Sequence, residues 1–165
     1  NGMILLLNVV TALVIGLLTE QLAVVAVFTL SFMVLRSYTG GYHSDSRVFC
    51  YLGSNLVLLV PVYTQAVFYK TSLAWLLAVL LVSAGIIFLL SPMHSKNRKL
   101  DKEEQKHFGR KARLIAALEL AVLGILWHAG QIPYAYAVYT GICITALFML
   151  VGKAQLWIQS HTENG

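Results

Sequence analysis

Apolar residues run through this chain in long blocks, and the polar residues are gathered into the gaps between them. Residues 3–35 are interrupted by one charge, Glu20. A single helix of that length spans about 50 Å, against a hydrocarbon core of about 30 Å, so the stretch predicts a hairpin of two short helices, 3–19 and 21–35. Its turn falls at Thr19-Glu20-Gln21, where polar residues reach water. After a polar segment at 36–47 come apolar stretches 51–69 and 72–90, joined at Lys70-Thr71, and then, beyond a charged region, 114–129 and 132–152, joined at Gly130-Gln131. The pattern predicts an all-α, polytopic integral membrane bundle of about six transmembrane helices, in one domain over 1–165. No internal repeat and no Pro- or Ser-rich linker divides it. A cleavable signal peptide is not expected, because no basic residue precedes the first apolar run and further spans follow. Gly16, Ala84, Gly85, Gly124, Gly141 and Gly152 offer close helix approach, although ordinary membrane glycine is the simpler reading.

Composition sharpens the class. Hydrophobic residues make up 58% of the chain and charged residues 12%, about half the share usual in soluble domains. A soluble enzyme, a secreted disulfide scaffold and a disordered tail are excluded. The net charge of +5 resides in residues 92–113, which hold eight Lys/Arg and three Asp/Glu, while the remainder balances four bases against four acids. That distribution argues for a basic loop that sets topology and against nucleic-acid binding. With the loop cytoplasmic, counting back places 36–50 and the amino terminus on the same side, with Glu20 and Lys70 outside. Eleven of the twelve Lys/Arg then lie inside. A solvated topology determinant is the default role of the loop; Lys96, Lys99, Lys111 and Arg113 are also candidates for binding an acidic peptide tail or anionic lipid.

One polar interruption carries reactive chemistry. Residues 36–50 combine Arg36, the pair Gly40-Gly41, His43 and Cys50. A cysteine attacks as thiolate, and an imidazole that takes its proton and stays positive beside it lowers the thiol pKa. Cys50 also stands at the start of a predicted helix, where free N–H groups favour an anion. Seven residues of straight helix would separate His43 from Cys50 by about 10.5 Å along the axis, too far for a hydrogen bond. The dyad therefore requires a bend, for which Gly40-Gly41 and Ser44-Asp45-Ser46 supply the residues. Backbone amides near the glycines are candidates for holding an oxyanion. On spacing alone, an interfacial His43 and a packed Cys50 are the more ordinary reading, and a zinc site from His43, Asp45 and Cys50 matches known ligand spacings poorly.

The pattern Arg36-x3-Gly40-Gly41-x-His43-x6-Cys50, after a hydrophobic hairpin and before four further spans around a basic loop opening Ser91-Pro92, resembles the accessory gene regulator protein B family. Weaker support comes from the loop Pro92-Met-His-Ser-Lys-Asn-Arg-Lys-Leu and from Arg110-Lys-Ala-Arg113. The resemblance covers nearly the whole chain. It implies a multi-pass peptidase of the bacterial cell membrane, with its catalytic segment at the cytoplasmic face, that processes quorum-sensing propeptides. Cys50 would be the nucleophile and His43 the general base. The peptidase cuts after the future signal, holds it as a thioester, and yields a thiolactone or lactone ring. Expected partners are the propeptide, membrane lipids and a second copy of the chain in a homodimer; no cofactor or metal is expected. Family members usually carry about thirty further amphipathic and polar residues before the first span, so recognition there is open.

Other residues have plainer readings. Glu119, inside the fifth span, is expected to pair with a basic side chain at the cytoplasmic end or to contact substrate. Cys143 reads as an inert packed thiol and His128 as interfacial. Trp75, Trp127, Trp157, Tyr134, Tyr136 and Tyr139 read as belt residues. The rival class is a non-enzymatic six-span protein such as a small transporter subunit; unusual reactivity of Cys50 beside an inert Cys143 separates the two.

Overall fold

The computed structural model describes residues 2–39, 47–92 and 102–162, and the regular elements in them are α-helices. In chain order these are α1 (Gly2–Leu18), α2 (Leu22–Thr39), α3 (Arg47–Tyr63), α4 (Gln65–Lys70), α5 (Leu73–Leu90), α6 (Lys102–His128) and α7 (Ile132–Thr162). Among the described residues, α2, α5 and Ile132–Ile158 of α7 are long and apolar enough to cross a membrane, and α1 adds a shorter apolar helix over Leu7–Leu18. The protein is a helical membrane protein, the architecture that satisfies every backbone group within its own segment.

Two helix ends are closed by the same device. At the α1–α2 turn, Gln21 N–H donates to the Gly16 carbonyl (3.0 Å) and Glu20 N–H to that of Leu17 (3.3 Å); at the α6–α7 turn, Gln131 donates to Leu126 (2.9 Å) and Gly130 to Trp127 (3.1 Å). This paired closure needs a left-handed residue, and Glu20 (φ 56°) and Gly130 (φ 73°) supply it. Neighbouring helices consequently double back. Ser31 and Tyr38 of α2 meet Glu119 and Phe108 of α6, so these two run antiparallel. Phe32 and Arg36 of α2 meet Phe148 of α7, and Ser31 lies against Gly141, so those two run parallel. One end of the bundle gathers the end of α2, the start of α3, the end of α5 and the start of α6. The other holds the α1–α2, α4–α5 and α6–α7 turns.

α7 is the central helix. Ala135, Tyr136, Ala137 and Val138 are buried in succession, as expected of a helix enclosed on all sides. On one side of it pack Ala12, Phe28, Leu58 and Phe68, and on the other Leu35, Ile87, Ala116 and Leu123. α5 is the reverse case: Leu81 and Leu89, among others, are exposed and face hydrocarbon. Hydroxyls inside the bundle return to their own helix, as Thr29 does to Val25 (2.7 Å) and Thr145 to Gly141 (2.8 Å).

The structure departs from the expected pattern at three places. The stretch 51–69 begins earlier, at Arg47, and is divided at Thr64 into α3 and α4. Pro61 lies within α3 and removes a ladder donor just before the break, and Thr64 Oγ1 donates to the Val60 carbonyl (2.8 Å) there. The basic region 92–113 is not loop throughout, because α6 starts at Lys102 and runs unbroken into the apolar stretch. Lys, Glu, Gln, Arg and Ala are strong helix formers, and charge does not oppose helix outside the hydrocarbon. Tyr136 is no belt residue: it is 2% exposed, and its hydroxyl is hydrogen-bonded to Thr64 at the α3–α4 break.

Candidate functional site

The helix order brings the candidate segment to the end of the bundle where the bases collect. Cys50 is the fourth residue of α3, in the first turn, where backbone N–H groups lack partners from the preceding turn. Gly40, Gly41 and His43, like Lys96 and Lys99 of the basic region, lie outside the described residues. Around this end the structure places side chains from three other helices.

Arg36 stands in the last turn of α2, where a cation suits the helix dipole. Its guanidinium lies 4.8 Å from the centre of the Phe148 ring and 6.0 Å from that of Phe32, a cation–π arrangement spanning α2 and α7. Two residues on, the Tyr38 ring packs 6.4 Å from Phe108, and the Lys111 ammonium sits 5.9 Å from the same tyrosine ring. Thr39, the last residue of α2, is fully buried. Behind it, Arg113 Nε donates to the Phe88 carbonyl in the last turn of α5 (3.2 Å). Gly109 lies so close to Pro92 that an added Cβ would be 2.9 Å from Pro92 Cδ. The start of α6 is thus fixed to the ends of both α2 and α5, which gives this end of the bundle a basic and aromatic rim.

Glu119 has a different partner from the expected one. Its Oε2 accepts a hydrogen bond from Ser31 Oγ (2.9 Å), while Arg113 turns to the Phe88 carbonyl. The contact depends on Gly141, where a Cβ would come 2.6 Å from Ser31 Oγ. Glu119 is therefore set in a junction of α2, α6 and α7. Cys143 is half-buried, within hydrogen-bonding reach of Ser83 and Tyr139. At the opposite end of the molecule, His128 lines an apolar cavity of about 400 Å³ with Leu73, Leu77, Leu120 and Trp127.

Sequence reasoning missed Tyr38 and Phe108, which are separated by 70 positions and meet only because α2 and α6 run antiparallel. The Ser31–Glu119 bond was hidden for the same reason, since the two are 88 residues apart. The one available signal was Glu119 itself, a carboxylate in an apolar stretch that needs a polar partner.

The chain matches the family model described as Accessory gene regulator B over residues 2–150, a stretch that includes all of 36–50. It is also 26% identical over 121 residues to the accessory gene regulator protein B of Staphylococcus intermedius, an alignment covering 73% of this chain and 62% of the relative. The chain thus spans less than two thirds of that relative's length. No solved structure matches. With a family model covering nearly its whole length, the chain belongs to the accessory gene regulator B family.

Proposed function

We propose that the protein is a membrane cysteine endopeptidase that cuts a quorum-sensing propeptide and promotes its cyclisation, with Cys50 as nucleophile and His43 as general base. The observation that carries this reading is the family match across residues 2–150, which takes in both residues. The position of Cys50 in the first turn of α3 supports it, because a thiolate gains there from the helix dipole and from unpaired N–H groups.

In the proposed reaction, His43 takes the thiol proton as the sulfur attacks the scissile carbonyl carbon. It returns the proton to the leaving amine, and the signal remains on Cys50 as a thioester. A cysteine or serine within the bound peptide then attacks the same carbonyl carbon, closing a thiolactone or lactone and restoring the Cys50 thiol. Holding this nucleophile and the thioester in one complex replaces an encounter with a high effective concentration. Backbone amides at Gly40 and Gly41 are assigned to the oxyanion. Arg36, Lys111 and Arg113, with Lys96 and Lys99, are assigned to the substrate.

The proposed topology has six crossings: α1, α2, α3 with α4, α5, the apolar part of α6, and α7, with the basic end cytoplasmic. Helices of alternating direction support it, as does the placement of Arg36, Lys106, Arg110, Lys111 and Arg113 at one end and Lys70 at the other.

The test uses a propeptide whose ring-forming residue is changed to Ala. An adduct that accumulates on the wild-type protein, is released by hydroxylamine and is missing from Cys50→Ala is the expected result. Cleavage persisting in Cys50→Ala would overturn the mechanism. His43→Gln is expected to insert normally while losing both cleavage and the enhanced alkylation of Cys50 near neutral pH; unchanged alkylation removes His43 from the reaction.

A further inference from the structure

Four described bases of α6, Lys106, Arg110, Lys111 and Arg113, are exposed, and two of them are engaged by neighbouring helices. Lys111 is turned to the Tyr38 ring and Arg113 to the Phe88 carbonyl. Lys106 and Arg110 are exposed, one turn apart, and open an i, i+4 row on α6 that continues through Leu114, Leu118 and Val122. Every member of the row is exposed, with Leu114 at 60% and Leu118 at 56%. The change from charge to hydrocarbon takes place in one turn, about 6 Å between Arg110 and Leu114. On neighbouring α5, Leu89 is 83% exposed and adjoins Phe88, whose carbonyl holds Arg113. Leu89 thus adds exposed apolar surface on the helix next to α6.

We infer that this row binds an anionic phospholipid, with the phosphate of its headgroup at Lys106 and Arg110 and its acyl chains along Leu114, Leu118, Val122 and Leu89. The occupant follows from the order of chemistry along this row, which turns about 40° around α6 at each step. An anionic headgroup with hydrocarbon directly beneath it complements a cationic pair with an apolar track directly beneath it. An acidic peptide would match the bases and leave the track uncovered. A second copy of the chain docking through the same row would bring Lys106 and Arg110 against their own like charges. The inference is independent of the peptidase reading, since lipid binding does not require Cys50.

The experiment titrates the purified full chain in detergent with phosphatidylglycerol or phosphatidylcholine and counts bound lipid by native mass spectrometry. Phosphatidylglycerol is expected to bind more tightly, with a preference that falls as salt is raised. Lys106→Gln/Arg110→Gln is expected to weaken its binding by about 30-fold, two surface charges' worth of attraction. Lys106→Arg/Arg110→Lys and Lys70→Gln should leave it unchanged. The salt titration needs no variant, so misfolding of the double substitution does not remove the test. Equal affinity for the two lipids, or a preference insensitive to both salt and the double substitution, would overturn the proposal. So would a substitution that abolishes binding of an added acidic peptide or splits a dimer while leaving the lipid preference intact.

Discussion

Ser31, Glu119 and Gly141 form the tightest junction described in the bundle, and its stability rests on the missing side chain of Gly141. A methyl group there would lie 2.6 Å from Ser31 Oγ and 3.2 Å from its Cβ, so the Ser31 side chain must turn away or α2 must give by a few tenths of an ångström, and the hydrogen bond to Glu119 is disturbed. Gly141→Ala is expected to cost about 1–3 kcal/mol, the usual penalty of overpacking. Gly85→Ala and Gly124→Ala, whose Cβ atoms would meet nothing within 4 Å, serve as controls and should be near neutral or stabilising. Thermal unfolding in detergent reads the difference; a Gly141→Ala protein as stable as these controls would refute the packing argument. The sequence placed all three glycines in one class because composition cannot tell a glycine that faces another helix from one that faces lipid. It did mark Glu119 as needing a partner, but identified the wrong kind, since bases one or two turns away on the same helix were visible and a serine on another helix was not.

At the scale of elements, the hydrophobic blocks predicted the helices well wherever a turn signal separated them. Glu20 and Lys70-Thr71 lie at the observed breaks, and so does Gly130-Gln131. Boundaries failed where hydropathy and helix propensity point in different directions. Residues 102–113 are polar enough to read as loop and helical enough to extend α6, while the break at Thr64, three residues after Pro61, divides a block that hydropathy alone treats as continuous. In the candidate segment the sequence offered reactive residue types, His43 and Cys50, but no geometry, because spacing does not fix the path between α2 and α3. The two matching helix closures also allow a prediction. Both need a left-handed residue, but one has glutamate where the other has glycine. A side chain in that conformation costs about 1–2 kcal/mol, so Glu20→Gly is expected to raise the unfolding temperature and Gly130→Ala to lower it. Equal and opposite small shifts would support the shared device, whereas destabilisation by Glu20→Gly would mean that the Glu20 side chain has a role the backbone does not reveal.

For the whole molecule, the decisive quantity is which end faces the cytoplasm, because the proposed catalytic segment, the lipid row and the basic rim all share one end. Helix direction settles that Arg36, Lys106, Arg110, Lys111 and Arg113 stand together and that Lys70 stands with the α1–α2 and α6–α7 turns at the other. Lys and Arg resist transfer across the membrane, so the end that carries nearly all of them is expected inside. The prediction is tested in a background lacking Cys50 and Cys143, with single cysteines placed at Lys106, Lys70 and Gln131. A reagent that does not cross the membrane should label the last two in intact cells, and Lys106→Cys only after the cells are opened. A cysteine at Ser44, in the candidate segment itself, should behave as the one at Lys106, because α2 and α3 both reach that end. If Lys70→Cys and Lys106→Cys were protected or labelled together, the alternation of helices would fail as a membrane topology. If instead Lys106→Cys were labelled outside and Lys70→Cys inside, the bundle would stand but the peptidase reading would lose its cytoplasmic site.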